Sequence, residues 1–334
     1  MVPKPVAVVG AGSWGTAIAL LLARGGGPVR LWDRGAAQVA MMAVDRENRA
    51  YLPGHKFPGG VSPVAALPVA LAGAAMVVLA VPSAALADLV PAVDAASDPG
   101  ALWILATKGL DPDTLETPSA TVRRVLRGSR RTLVALSGPN LAREVAAGIP
   151  TAAVAASPDT ASAEQVAHRF NQPSFRTYVS DDLVGVETGG AVKNVLAIAA
   201  GVSDGLGFGD NTKAALLTRG LGEMARLADV LGGRRETAYG LAGVGDLMAT
   251  ASSRLSRNWR VGEGLALGRT LPEILEGIGQ VAEGVPTARA VARLAQAHGI
   301  ALPVCGAVDD LLAGRITPVE ALARLTENRA AGKE

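Results

Sequence analysis

A glycine-rich turn set between a short strand and a long helix constrains this chain more than any other feature. Val6, Ala7, Val8 and Val9 read as a buried strand, Gly10-Ala11-Gly12-Ser13-Trp14-Gly15 follows at once, and helical spacing then runs to about residue 24. In that setting the first glycine permits the tight turn, the second lets backbone approach a pyrophosphate, and the third lets helix and strand pack closely. The helix start offers unpaired amides to the anion. Asp33, about 20 positions on, ends the next strand and suits the ribose 2′-hydroxyl of a dinucleotide. Arg34 beside it suits a 2′-phosphate or the face of an adenine, so both NAD and NADP stay open.

The alternation of strand and helix continues past this unit. Short β-rich runs at 6–9, 29–32, 76–79, 102–105, 133–136 and 152–155 are separated by helical patterns, which predicts right-handed crossovers and a parallel sheet with helices on both faces. After about residue 179 the strands stop. Segments 187–201, 212–231, 258–267, 272–278, 287–298 and 304–313 have helical spacing and Gly-rich turns between them. The chain therefore reads as α/β: a Rossmann-type doubly wound parallel sheet over residues 1–181, then an all-helical substrate and catalytic domain over 182–334. Ser180-Asp181-Asp182 carries no flexible linker, so the halves are expected to pack rigidly around a cleft.

Composition narrows the class of partner. Among 334 residues, 49% are hydrophobic and 19% charged, enough apolar surface for two cores, and 32 basic against 30 acidic side chains leave no field for a polyanion. No nucleic-acid partner is expected. One cysteine, Cys305, and the scattered His55, His168 and His298 argue against disulfides and a metal site and for a reducing cytoplasm. The uncharged stretch 64–87 is long enough to cross a bilayer, but Pro68, Gly73 and Pro82 break it, so it reads as sheet core and no membrane insertion is expected. Lys4 before an apolar run imitates a secretion signal, yet Gly10, Gly12 and Gly15 interrupt that run. Arg123, Arg124, Arg127, Arg130 and Arg131 read as the solvated end of a helix and its loop.

Charged and polar residues embedded in small-residue runs are the candidates for chemistry. Thr107-Lys108-Gly109 and Ser137-Gly138-Pro139-Asn140 each follow a strand, at the carboxyl edge where open α/β sheets bind ligands. In the helical half, Gly189 and Gly190 precede Lys193 by four and three positions. Two glycines early in a helix cost about 1 kcal/mol each relative to Ala, which points to a close neighbour. Asp246 in Gly243-Val244-Gly245-Asp246 can balance an ammonium, and Arg257 offers a planar fork to a phosphate, with Ser256 and Asn258 as neutral donors.

These blocks together resemble the bacterial-type NAD(P)-dependent glycerol-3-phosphate dehydrogenases, essentially from end to end. The resemblance rests on 10–15 with Trp14, Asn48 to Pro53, Val81-Pro82-Ser83, Thr107-Lys108-Gly109, Leu136 to Pro139 with Glu144, and Gly189 to Asn194. It continues through Ser203 to Gly207, Asn211 to Gly222, Gly243 to Leu247, Ser256-Arg257-Asn258 and Glu283-Gly284. It implies reversible hydride transfer between nicotinamide and carbon 2 of a small phosphorylated three-carbon substrate, interconverting dihydroxyacetone phosphate and sn-glycerol 3-phosphate for phospholipid synthesis. Lys193 is implied as the proton-transfer residue with Asp246 as its catalytic partner. Lys108, Gly138, Asn140, Ser256, Arg257 and Asn258 are implied to contact substrate. Gly10, Gly12, Ser13, Trp14, Gly15, Arg34, Lys108, Ala142, Arg257, Val281 and Glu283 are implied to contact the cofactor. Asn140 stands where the family usually has Ser or Thr, which keeps a donor but changes its reach, and Ala251 replaces a common Cys. The apolar helices of the second half are expected to supply a homodimer surface.

Overall fold

A computed structural model describes residues 4–326. Eight strands, β1 (Val6–Val9), β2 (Val29–Trp32), β3 (Val61–Val64), β4 (Met76–Leu79), β5 (Leu102–Leu105), β6 (Leu133–Ser137), β7 (Thr151–Ala156) and β8 (Phe175–Ser180), form one sheet in the order β3-β2-β1-β4-β5-β6-β7-β8. Helices α1 (Ser13–Arg24), α2 (Ala36–Asp45), α3 (Leu67–Leu71), α4 (Leu86–Ala96), α5 (Pro118–Val125), α6 (Ala142–Ala147) and α7 (Thr160–Phe170) cover it. Two separate apolar clusters flank the sheet, one centred on Ile18, Leu31 and Phe170 and the other on Trp103, Leu79 and Val90. Strands buried on both faces are why 76–79 reads as Met-Val-Val-Leu without alternation. The order of the strands reverses between the parallel β1 and β4, so the crevice above their carboxyl ends is the topological switch point.

Eight helices follow: α8 (Leu183–Gly205), α9 (Asp210–Val230), α10 (Asp246–Ala251), α11 (Arg257–Ala266), α12 (Leu271–Ile278), α13 (Gly284–His298), α14 (Pro303–Leu312) and α15 (Pro318–Thr326). α8 is the axis of this half. It is long and apolar enough to cross a membrane, yet nearly all of it is buried inside the protein. Small residues make that possible: a Cβ at Gly201 would lie 2.0 Å from the Trp259 carbonyl oxygen, and one at Gly262 would lie 2.0 Å from that of Ile198. Without side chains at these points, α8 and α11 approach backbone to backbone.

The sheet departs from the expectation of parallel strands throughout. β7 pairs antiparallel with β6 and then carries β8 parallel to itself. The six-residue α6 rises only about 9 Å, too little to return the chain along a strand of about 17 Å, so β7 starts at the edge where β6 ends. Two strands had no counterpart among the expected ones. β3 contains Pro63, which an edge strand bonded only to β2 tolerates, and β8, with Arg176 and Tyr178 facing outward, is the opposite edge. The arginine cluster is only partly solvated: Arg124 pairs with Glu116, and Arg131 pairs with Asp94 while lying over the Trp103 ring.

Candidate active site

The switch-point turn divides its three glycines by what surrounds them. Gly10 has φ +109°, and a Cβ there would lie 2.8 Å from the Ala80 carbonyl oxygen. One on Gly15 would lie 1.9 Å from the Gly10 carbonyl oxygen, whereas Gly12 has nothing within 4 Å. The outer two glycines are thus required by the protein itself, and the middle one leaves an open cradle at the amino end of α1. No side chain caps that end. A dinucleotide pyrophosphate fits such a cradle, with amides of the first turn as its donors.

Across the crevice, Lys193 projects from the middle of α8. Its Nζ donates to Asp246 Oδ1 at 2.8 Å and to Thr250 Oγ1 at 2.7 Å, and Thr250 Oγ1 donates to the same carboxylate oxygen at 3.1 Å. The other carboxylate oxygen accepts from Lys108 Nζ at 2.7 Å, and that ammonium also donates to the Gly138 carbonyl at 3.0 Å and sits 5.9 Å from the centre of the Trp14 ring. Two ammonium groups therefore share one buried carboxylate, leaving one excess positive charge where Asp246 and Lys193 are buried and Lys108 is partly exposed. The Lys193 pKa is lowered to about 8: burial pushes it down most, Asp246 opposes the shift and Lys108 adds to it. Burial alone would raise Asp246, but the two ammonium groups hold it below the ordinary carboxylate range.

The close neighbours of Gly189 and Gly190 are protein atoms. A Cβ on Gly189 would lie 2.7 Å from the Ala242 carbonyl oxygen, in the π-helical turn Leu241–Gly245 that leads into Asp246, and one on Gly190 would lie 2.8 Å from Ser137 Oγ. The glycines bring α8 against both the turn that sets Asp246 and the end of β6. Ser137 Oγ, Asn140 Oδ1 and Trp14 Nε1 are buried without a hydrogen-bond partner. Trp14 lies against Lys108, and Asn140 follows Gly138, whose carbonyl the same ammonium bonds.

A second group of residues ties the helical half to the dinucleotide turn. Ser13 Oγ donates to Gln280 Oε1 at 2.8 Å, and Arg257 Nη1 reaches the same oxygen at 3.5 Å. Arg257 is the first residue of α11, capped by Ser256, whose hydroxyl accepts from the Trp259 amide. Burial lowers its pKa and the Glu283 charge opposes that shift. No carboxylate lies within ion-pair distance of Arg257 among the described residues. Glu283 accepts from the Ser83 amide at 3.1 Å and its hydroxyl at 2.7 Å, and burial raises its pKa against those bonds. Asn258 is largely spent on structure, donating to Asn194 and accepting from the Gly284 amide, with one N–H left. Asn140 likewise gives one N–H to the Ala152 carbonyl, which ties it to β7.

Lys108, Lys193 and Asp246 thus meet, as do Ser13 and Arg257. Arg34 stands apart, exposed beyond β2, and Asp33 Oδ1 accepts from the Gly35 amide in its own turn. Ala142 opens α6, which packs on α1, and Val281 is half exposed. Sequence reasoning missed Thr250 and Gln280. The first was legible, because four residues after Asp246 on one helix is the same face. The second sits in a loop, where no periodicity marks it.

Comparison with known proteins decides the family. Family models for the NAD-dependent glycerol-3-phosphate dehydrogenase N-terminus and C-terminus match residues 5–163 and 182–323. The chain belongs to the NAD-dependent glycerol-3-phosphate dehydrogenases. A relative from Ralstonia nicotianae, named glycerol-3-phosphate dehydrogenase [NAD(P)+], is 48% identical over 333 residues, covering 97% of this chain and 98% of the relative. One of the same name from Aromatoleum aromaticum is 47% identical, covering 96% and 97%. The crystal structure of glycerol-3-phosphate dehydrogenase from Coxiella burnetii superposes with a TM-score of 0.93 at 40% identity, covering 97% and 99%. Membership brings NAD or NADP as cofactor, and the open cradle at Gly12 accommodates that group.

Proposed function

We propose that this dehydrogenase reversibly reduces dihydroxyacetone phosphate to sn-glycerol 3-phosphate with NAD(P)H, with Lys193 moving the proton. The observation that carries the reading is the buried Lys193 ammonium, oriented by Asp246 and Thr250 and sharing Asp246 with Lys108, which lies against Trp14 of the dinucleotide turn. When bound, the reduced nicotinamide supplies the hydride that carbon 2 accepts.

Every other task belongs to side chains. The Lys193 ammonium hydrogen-bonds the ketone oxygen, stabilises negative charge developing there and gives up a proton as the alcohol forms; in the reverse direction the neutral amine takes it back. Asp246 keeps Lys193 and Lys108 in register, and Lys108 adds a second positive charge near the reacting oxygen. Arg257, partly buried and with no carboxylate at ion-pair distance among the described residues, pairs with the substrate phosphate, assisted by the free N–H of Asn258 and the hydroxyl of Ser256. Gly138 and Asn140 line the substrate side. Gly10, Gly12, Ser13, Trp14 and Gly15 would hold the pyrophosphate end, with Arg34, Lys108, Ala142, Arg257, Val281 and Glu283 as further contacts. This reading divides the chain at 181/182 into cofactor and substrate domains. It also includes a homodimer, a cytoplasmic setting and supply of the phospholipid backbone.

Mixing the protein with dihydroxyacetone phosphate and NADH or NADPH tests the reaction. Sustained loss of reduced-nicotinamide absorbance is expected, whereas stoichiometric cofactor binding without turnover would favour a cofactor-sensing protein. Sedimentation at micromolar concentration tests the dimer, and a monomer throughout would dismiss it.

A further inference from the structure

A cleft of about 490 Å³ opens at the junction of the two halves, and none of the groups bonded to Lys193 lines it. Its walls come from both sides: Leu115, Ser119 and Arg123 from the approach to α5 and α5 itself, Leu183 and Val184 from the start of α8, and Leu294 from α13. The four aliphatic side chains make one wall apolar. Most of the charge at the rim is already matched. Glu116 pairs with Arg124, Asp181 pairs with Arg234, and Asp182 accepts from the Gly185 and Arg234 amides. Arg123 is exposed and makes no hydrogen bond or ion pair among the described residues. Its charge acts on the buried Glu187 carboxylate without a direct bond, so its N–H donors stay unused beside the cleft.

We propose that this cleft is an effector site for a small amphipathic anion, its head group on Arg123 and a short aliphatic body against Leu115, Leu183, Val184 and Leu294. Small-molecule sites typically enclose about 300–1,000 Å³, mostly apolar with a few placed polar groups, and the cleft meets both conditions. A guanidinium suits a carboxylate or phosphate head through paired N–H donors. Coupling to the reaction runs through the cleft wall. Ser119 donates its amide to Glu187 Oε1 at 2.8 Å and its hydroxyl to Oε2 at 2.5 Å, and Glu187 lies on α8 six residues before Lys193. A body wedged between α5 and α8 bears on that clip, hence on the helix that holds the ammonium.

Octyl phosphate, used below its micelle-forming concentration, is the probe, and 1-octanol is its uncharged counterpart. Calorimetry on the full chain should show one saturable site for octyl phosphate that dihydroxyacetone phosphate does not displace, with no comparable binding of octanol. Arg123→Gln should weaken that binding about tenfold while leaving probe-free ketone reduction unchanged. In the assay, octyl phosphate should change kcat at saturating ketone in the parent protein and not in Arg123→Gln. Displacement by the ketone, equal binding of octanol, unaltered binding to Arg123→Gln, or Arg123-dependent binding with no change in kcat would each overturn the proposal. The kcat arm rests on the dehydrogenase reading and the calorimetric arm does not, so loss of turnover alone and loss of the site alone are distinguishable.

Discussion

At the scale of single residues, the proposed role of Lys193 is open to test because its two charged neighbours pull its pKa in opposite directions. Reduction needs the ammonium, so kcat/KM for the ketone should hold below about pH 8 and fall above it, while oxidation of the alcohol should rise through the same pH. Lys108→Met removes a repelling charge and should move this limb to higher pH; Asp246→Asn removes an attracting one and should move it lower. Shifts in the same direction from both variants would contradict the shared-carboxylate geometry. Lys193→Ala should lose turnover while keeping cofactor affinity. Arg257→Ala should raise KM for the ketone by about 10²-fold, the cost of a charge-assisted bond worth ~3 kcal/mol. An unchanged KM would remove Arg257 from the phosphate.

Elements meet at glycines here, and the two kinds of glycine should respond differently to the same substitution. Gly189→Ala pushes a methyl group to 2.7 Å from the Ala242 carbonyl oxygen, a backbone contact that α8 and the turn before Asp246 can relieve only by moving apart. It should cost about 1–3 kcal/mol in denaturant unfolding. Gly12→Ala meets nothing within 4 Å, so unfolding should be nearly unchanged while cofactor binding weakens. A stable Gly189→Ala protein with full activity would refute the close-packing account. The same logic explains why Gly189 and Gly190 could be singled out from sequence but not their neighbours. Helix propensity marks two glycines as costly, and only the fold reveals that the π-helical turn and Ser137 occupy the space.

On the scale of the whole molecule, buried carboxylates clip the sheet half to the helical half: Glu283 on Ser83, and Glu187 on Ser119. Burial raises Glu187 to about 7 against the hydrogen bonds that favour its charge. A carboxyl whose folded pKa lies above its unfolded value stabilises the protein most below about 4.5, and that stability drains away as pH rises to about 7. The loss amounts to about 3 kcal/mol for a shift of this size. Glu187→Gln should flatten the decline between those pH values, measured by denaturant unfolding across the range. A decline of equal steepness in the variant would assign it to other groups.

The sequence by itself determined the class of fold and the change from alternating strands to helices near residue 180, and it singled out Lys193, Asp246 and Arg257 as the charged groups to propose for chemistry. Periodicity and turn chemistry are local, and local pattern suffices for these. Tertiary structure alone decided that β7 runs against β6, that Thr250 and Gln280 join the site, that Asn258 and Asn140 spend their amides on backbone and neighbours, and that Lys108 and Lys193 share one carboxylate. Each of these depends on groups far apart in the chain meeting in space. A pKa, an unpaired guanidinium or a closed contact is a property of the surroundings, and no single stretch of sequence contains them.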